Sequence, residues 1–325
     1  MDFALSQDEQ MILESANEFA SRFLRDSVRE HEREGSLAQG VWAGFEAAGL
    51  GMLAEPSTDP EMELGWPIRC LALARLAAVD GPSAFALWMR DWVPQVNTLL
   101  GGSGKPQALQ LVREIDTMQW PLPCLPMMGG ESVLVVDMSG RWGVARVETT
   151  QVRALGMSAA GPARCELLEW EARGQAEPVL LASILAQARM WVASVLVGMS
   201  RGSMEYTHGY IQERVAFGKA LAQHQGVAFM AADMSIRCEG AEMLLCRAGW
   251  GMDSGDDTVV AGLYAEAVEA ALWVTDTGVQ LLGGHGYMKD HPVEKWMRDA
   301  RAISLIWGGV DLALETERFS AGGAK

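Results

Sequence analysis

The chain is short of the groups that most often advertise a function. Its five cysteines, Cys70, Cys124, Cys165, Cys238 and Cys246, are odd in number, widely scattered and include no CxxC pair. Neither a disulfide framework nor a zinc site is indicated, and reduced thiols are expected. The five histidines, His31, His208, His224, His285 and His291, show no metal-ligand spacing on one helix face and no readable Ser/His/Asp arrangement, so surface or capping roles are expected for them. Positive charge is scarce: 26 Lys and Arg face 42 Asp and Glu, a formal net charge of −16, which repels nucleic acid and anionic lipid surfaces. No apolar run of about 18 residues stands out, and the N-terminus MDFALSQDEQ lacks the basic and apolar regions of a signal peptide. A cytoplasmic location without a membrane partner is expected. GGSGK (101–105) runs into Pro106 instead of Ser or Thr, and GGHG (283–286) lacks the G-x-G-x-x-G spacing, which speaks against a P-loop and a dinucleotide fingerprint.

What is present is ordinary for a globular chain: 325 residues, 49% apolar and 21% charged, enough for a large core and two or three subdomains. Up to about Gln110 the pattern is mainly helical. Met11, Ile12, Ala16, Phe19, Phe23 and Leu24 recur at three- and four-residue spacing, and Ser6 with Glu9 forms a candidate capping box. Loops are expected at 49–60, at Gly81-Pro82 and at GGSGKP (101–106). The texture then changes to short strand-like runs, SVLVV (132–136), WGVARVE (142–148) and CELLEW (165–170), separated by Gly, Ser and Pro. Helical periodicity returns from Pro178 to the end. The expected fold is mainly α with a small β domain, divided into an N-terminal helical domain at 1–116, a reduced β domain at 117–177 and a C-terminal helical bundle at 178–325.

Three spaced motifs, RVAFGKALAQHQGVAFMAADM (214–234), QLLGGHGY (280–287) and PVEKWMRDARAISLIWGG (292–309), resemble the C-terminal signature of acyl-CoA dehydrogenases, flavoenzymes that desaturate a CoA thioester between Cα and Cβ. The order of helices, small β domain and helical bundle is similar to that family along nearly the whole chain. The resemblance implies FAD shared between subunits. Arg214 would contact the pyrophosphate, where a planar guanidinium bonds phosphate oxygens bidentately, and Phe217, Gln225, Gln280, Gly283 and Gly284 would line the ADP half. Ala216 departs from the family, standing where relatives often carry a hydroxyl residue. Taken alone, Arg214 reads rather as a surface ion-pair residue, with Glu213 or another acid; inside the full motif the phosphate reading is preferred.

The resemblance fails at the base. After the RDA triplet the family reads roughly I-Y-E-G-T, and its glutamate removes the substrate's α-proton. Aligned without gaps from Arg298-Asp299-Ala300, this chain places Trp307 there, and an indole has only an N–H donor. A one-residue shift would place Gly308 at that position, again without a carboxylate. The other location used by relatives, just before an arginine on the long helix that opens the C-terminal domain, is Ala188 beside Arg189. Glu294, Glu315 and Glu317 lie nearby in sequence and are expected to be solvated or capping acids. The family's Y-x-I-x-G-x-K-x-W-I-T-N type segment, which contacts the flavin ring, has no counterpart here.

The implied role is a non-catalytic subunit of a heteromeric α2β2 acyl-CoA dehydrogenase. Its partner would be a complete acyl-CoA dehydrogenase subunit and the substrate of the complex an acyl-CoA; such assemblies are associated with bulky thioesters, in lipid or steroid catabolism. Two other readings stay open: a homo-oligomeric flavoenzyme with an unidentified base, and a flavin-free scaffold.

Overall fold

The computed structural model describes residues 5–54, 64–119, 122–126, 131–152 and 154–322. The Cys124 and Glu317 side chains, and residues 55–60 of the loop expected at 49–60, lie outside what is described. The chain is mainly helical with a small sheet. Helix α1 (Gln7–Phe19) starts at the capping box: Glu9 N–H donates to Ser6 Oγ at 3.2 Å and Ser6 N–H donates to Glu9 Oε2 at 2.8 Å. Leu13, Ala16 and Phe19 face the core, while Met11, assigned to the same apolar stripe by its spacing, is 60% exposed. Short helices α2 (Val28–Glu34) and α3 (Gln39–Ala47) lead to α4 (Trp66–Leu99).

The interruption expected at Gly81-Pro82 is present as a kink between two helical segments, not as a longer loop. Helix α4 runs through it with a break at Asp80 (φ −151°, ψ 103°), because Pro82 has no N–H to donate and its ring crowds the preceding turn. Five strands follow: β1 (Ala108–Val112), β2 (Leu122–Pro126), β3 (Ser132–Asp137), β4 (Arg141–Gln151) and β5 (Pro162–Gln175). They form one sheet in the order β1-β3-β4-β5-β2, with β1 parallel to β3 and the remaining pairs antiparallel. β1 thus lies within the range 1–116 expected to be helical. Its ALQLV sequence is too short for its period to be told from a helix, and only pairing with β3 decides it. SVLVV reads as a continuous apolar run because both faces of β3 are covered: Val133 and Val135 pack with Ala145 and Val147, while Leu134 and Val136 join the helical core.

The C-terminal half consists of α5 (Pro178–Glu213), a two-strand hairpin β6 (Val215–Ala216) and β7 (Lys219–Ala220), then α6 (Gln225–Asp253), α7 (Val260–Leu282), α8 (Val293–Ile303) and α9 (Gly309–Gly322). Helices α4 and α5 contain stretches long and apolar enough to cross a membrane, contrary to the reading that no such run exists, but 83% and 61% of those windows are buried inside the protein. They are its core helices. Trp88, Trp92, Trp191 and Phe85 fill the space between them.

A buried ionic cluster joins these parts. Lys295 on α8, 3% exposed, donates to Asp80 at the break in α4 and to Asp299 one turn along α8 at 2.7 Å. Asp80 also accepts from Ser83 Oγ, and Asp299 accepts from Met157 N–H at 2.7 Å. Burial alone would pull the Lys295 ammonium down, but Asp299 and Asp80 hold it above its ordinary value. One acid and one histidine expected at the surface sit beside this cluster. Glu294, 8% exposed, is paired with Arg29 and Arg298 at 2.7 Å each, and His31 is 1% exposed with neither ring nitrogen hydrogen-bonded. Burial lowers the His31 imidazole below its usual range.

Replacing Lys295 alone leaves two carboxylates buried without a counter-charge, so Lys295→Met is expected to lower stability by about 3–5 kcal/mol. Adding Asp80→Asn and Asp299→Asn removes the stranded charges while keeping acceptors for Ser83 and Met157, and recovers most of the loss. Urea unfolding midpoints of the two variants check this.

Candidate functional site

The two positions at which a catalytic carboxylate was sought, 188 on α5 and 307 after α8, converge in the fold. Ala188 and Trp307 line the same cavity, together with Leu111, Arg189, Val192 and Tyr264, and its volume is only about 20 Å³, room for a single water. Trp307 is the reason. Its indole is half-buried, with ring centroids 5.9 Å from those of Phe85 and Trp92, and its Nε1–H donates to the Leu109 carbonyl at 2.8 Å. The backbone there is left-handed, φ 56° and ψ 37°, a costly conformation for a bulky residue that the surrounding contacts must hold.

The cavity contains no proton acceptor competent at neutral pH. Among the described lining residues there is no Asp or Glu, and the ionisable ones are Arg189 and Tyr264. The Tyr264 hydroxyl donates to the Ser304 carbonyl at 3.2 Å, and burial pushes its phenol up to about 12. Glu315, near in sequence, is paired outside the cavity with Arg113 at 2.8 Å. A carboxylate that could remove an α-proton is therefore missing from both positions and from the described residues around them.

The second set of sequence-derived residues lies elsewhere, at the end of the bundle where the last turns of α5, the start of α6 and the end of α7 pack on Ile211, Ala231, Met234 and Leu281. Arg214 caps α5, Gln225 opens α6, and Gln280, Gly283 and Gly284 end α7; all five are exposed. The alternative ion pair for Arg214 does not form: no acidic group lies within ion-pair distance of its guanidinium among the described residues. Phe217 and Gly218 form the tight turn between β6 and β7 at φ 51° and 84°, and Phe217 is 96% exposed. This large apolar side chain on a strained turn meets only the edge of His224 among the ring contacts of the described residues, at 6.2 Å between centroids. Gly283 has φ 59°, and a Cβ built on Gly283 or Gly284 would meet nothing within 4 Å, so the backbone there is open to close approach from outside.

This end of the molecule fits the ADP half of a dinucleotide: a free guanidinium, two amide side chains and a bare glycine backbone suit a diphosphate. The cavity at Ala188 and Trp307 does not fit the ring half, since a tricyclic ring system needs several hundred Å³ rather than one water's space. Sequence reasoning missed two neighbours of the glycine end. His285 Nδ1 is bonded to Tyr210 Oη at 2.6 Å and His291 Nδ1 to Tyr206 Oη at 2.7 Å, the two imidazoles lying 5.4 Å apart. A stripe on α6 was also missed, Phe229, Ile236, Met243 and Trp250, seven residues apart and 62%, 67%, 62% and 44% exposed. That spacing was present in the sequence as a signal of a helix face that packs against another helix.

Comparison with known proteins places this architecture. The family model described as "Acyl-CoA dehydrogenase, C-terminal domain" matches residues 179–315, and that described as "Acyl-CoA dehydrogenase, N-terminal domain" matches residues 6–106. Among curated proteins, the short-chain specific acyl-CoA dehydrogenase of Clostridium acetobutylicum is 35% identical over 137 residues, 42% of this chain and 36% of that protein. Cyclohex-1-ene-1-carbonyl-CoA dehydrogenase of Geobacter metallireducens is 37% identical over 131 residues, 39% of this chain and 34% of that protein. The match thus spans about a third of the length of these relatives. Among solved structures, butyryl-CoA dehydrogenase from Megasphaera elsdenii superposes with a TM-score of 0.81 at 19% identity, covering 99% of this chain and 100% of that one. The FAD complex of PigA gives a TM-score of 0.80 at 19% identity over 99% of both chains. At those identities the likeness shows the fold.

Trp307→Glu would place a carboxylate in an apolar cavity and delete two ring contacts and a hydrogen bond. A loss of roughly 2–4 kcal/mol is expected, near the range for large-to-small aromatic changes. Chemical denaturation of the purified variant measures it, and an unchanged midpoint would place the Trp307 ring in solvent.

Proposed function

The chain belongs to the acyl-CoA dehydrogenase family, and from that premise we propose that it serves as the non-catalytic subunit of a heteromeric acyl-CoA dehydrogenase. It would supply ADP-side contacts and an interface to a complete partner subunit that carries the flavin ring and the base. The observation that carries this reading is the separation of two ends of the molecule. The end bearing Arg214, Phe217, Gln225, Gln280, Gly283 and Gly284 is exposed and open, whereas the cavity between Ala188 and Trp307 is filled and has no carboxylate.

The chemistry supports the division. Desaturation needs a positioned base to take the α-proton, a contribution of typically 10²–10⁴-fold, and FAD, when bound, accepts the hydride from Cβ. Among the described residues lining this cavity none stands ready for the first task, because Trp307 donates its only N–H to Leu109 and Tyr264 keeps its proton at neutral pH. What its residues can do is hold and orient. Arg214 would bind the pyrophosphate of a flavin seated mainly in the partner, Gln225 and Gln280 would bond the adenosine side, and Gly283 and Gly284 would let the backbone approach. The exposed α6 stripe gives such a partner a helix face to pack on, and its N-terminal residue is Gln225. A soluble, reduced, cytoplasmic setting and an acyl-CoA substrate of the complex go with this reading. A homo-oligomeric enzyme with its own base is disfavoured by the lining of the Ala188–Trp307 cavity.

Purified alone, the chain is expected to carry far less than one FAD per polypeptide and to fill a shared site only when co-expressed with a complete family member. The visible spectrum and flavin-to-protein ratio decide. A stoichiometric yellow protein from the chain alone would establish the homo-oligomeric enzyme, and no flavin contact in any complex would establish the scaffold.

Within such a complex, Arg214→Ala removes a charge-assisted contact worth roughly 1.5–3 kcal/mol, so FAD retention should weaken tens-fold. Removal of the partner's catalytic carboxylate should abolish turnover, while Trp307→Glu here leaves it nearly unchanged. Retained turnover without the partner's carboxylate would mean that this chain holds a base of its own.

A further inference from the structure

A cleft of about 990 Å³ opens on the other side of Trp92 from the filled cavity, between α3, both ends of α4, the turn at 105–107 and α5. Four of the chain's twelve tryptophans line it: Trp42 from α3, Trp66 and Trp92 from the two ends of α4, and Trp191 from α5. They are tightly set. Trp66 stacks on Trp191 with centroids 4.6 Å apart, and Trp92 Nε1–H is fixed on Gln187 Oε1 at 2.9 Å. Trp42 lies under the Arg90 guanidinium, which Asp91 and Glu46 hold at 2.8 and 2.9 Å.

Two features of this wall are unsatisfied. Trp191 Nε1–H is buried with no acceptor, a state that proteins seldom leave uncompensated. At the rim, the exposed Lys105 ammonium has no ion-pair partner among the described residues, although acids outnumber bases heavily in this chain. The size and the aromatic walls suit a small-molecule site, and of the charged groups that also line it Glu46 and Asp91 are both taken up by Arg90.

We infer that this cleft binds a flat apolar molecule with one anionic end, its ring system lying against Trp42 and Trp66 and its anion meeting Lys105. Indole faces give large contact area at little conformational cost, and they select planar apolar matter without specifying its chemistry in detail. Lys105, without an ion-pair partner among the described residues and set at the mouth of the cleft, fixes which end stays outward. This inference does not rest on the proposed subunit role, because the cleft is separated from the Ala188–Trp307 cavity by Trp92 and lies away from Arg214 and Gly284.

The test uses the isolated full chain, with 2-naphthoate as the probe and 2-naphthamide as its uncharged counterpart, read by tryptophan quenching and calorimetry. Expected are saturable binding of naphthoate, weaker binding of the amide by about 2–5-fold, and the same loss in Lys105→Ala with recovery in Lys105→Arg. Trp42→Ala should weaken both ligands by about ten-fold. Trp250→Ala, on the exposed α6 stripe, should change neither. Lack of saturation at millimolar naphthoate would overturn the inference, as would affinities untouched by Lys105→Ala and Trp42→Ala or loss of binding in Trp250→Ala. Lys105 is a surface side chain, so its variants keep the question answerable even if Trp42→Ala fails to fold.

Discussion

A lysine buried between two aspartates fixes the geometry from which the rest of the molecule takes its shape. Asp80 sits at the one residue of α4 that leaves helical φ/ψ, Lys295 and Asp299 are on α8, and Met157 belongs to the turn before β5. Removing one member strands a charge in a low-dielectric interior, so the three segments are held to one relative placement. The loop that carries Trp307 follows directly from α8. Its position, and hence the closure of the small cavity, depends on where this cluster holds that helix.

The filled cavity and the open bundle end are two consequences of one architecture. Helices α4 and α5 are packed by indoles and small residues, so that adding Trp307 to Phe85 and Trp92 consumes the remaining space. Nothing comparable closes over Gly283 and Gly284, where the chain ends a helix with left-handed backbone and no covering side chain. Close packing resists partial occupancy, which is why the space at Trp307 is filled from within while the surface at Arg214 stays open. The aromatic cleft beyond Trp92 follows the same logic in the opposite sense: rigid indoles on three helices cannot collapse together, and the space between them stays open.

Much of this was legible in the sequence, and the physical reasons differ from element to element. The first helix could be read because its capping box is local, using two groups three residues apart. β3 could be read because a five-residue apolar run between turn residues suits a strand covered on both faces. That 307 is Trp and 188 is Ala, with a carboxylate at neither, was visible at once, since identity is a property of sequence alone, and so was the presence of Arg214, Gln225, Gln280 and the glycines. β1 was not legible, because its assignment depends on pairing with β3, and at Gly81-Pro82 the interruption was legible while its form, a kink at Asp80 rather than a loop, was not.

Tertiary structure alone decided which charged and polar groups are inside. Glu294 and His31 carry the local marks of surface residues, yet partners distant along the chain, Arg29 for the former and the Asp80–Lys295 cluster beside the latter, surround them within the fold. Only the fold could show that positions 188 and 307, far apart in the chain, border one cavity, and that no other proton acceptor among the described residues reaches it. The sequence determined which side chains and which local periodicities were available. Burial, ion pairing and cavity volume are set by chain segments that meet only after folding, and no local pattern encodes which segments those will be.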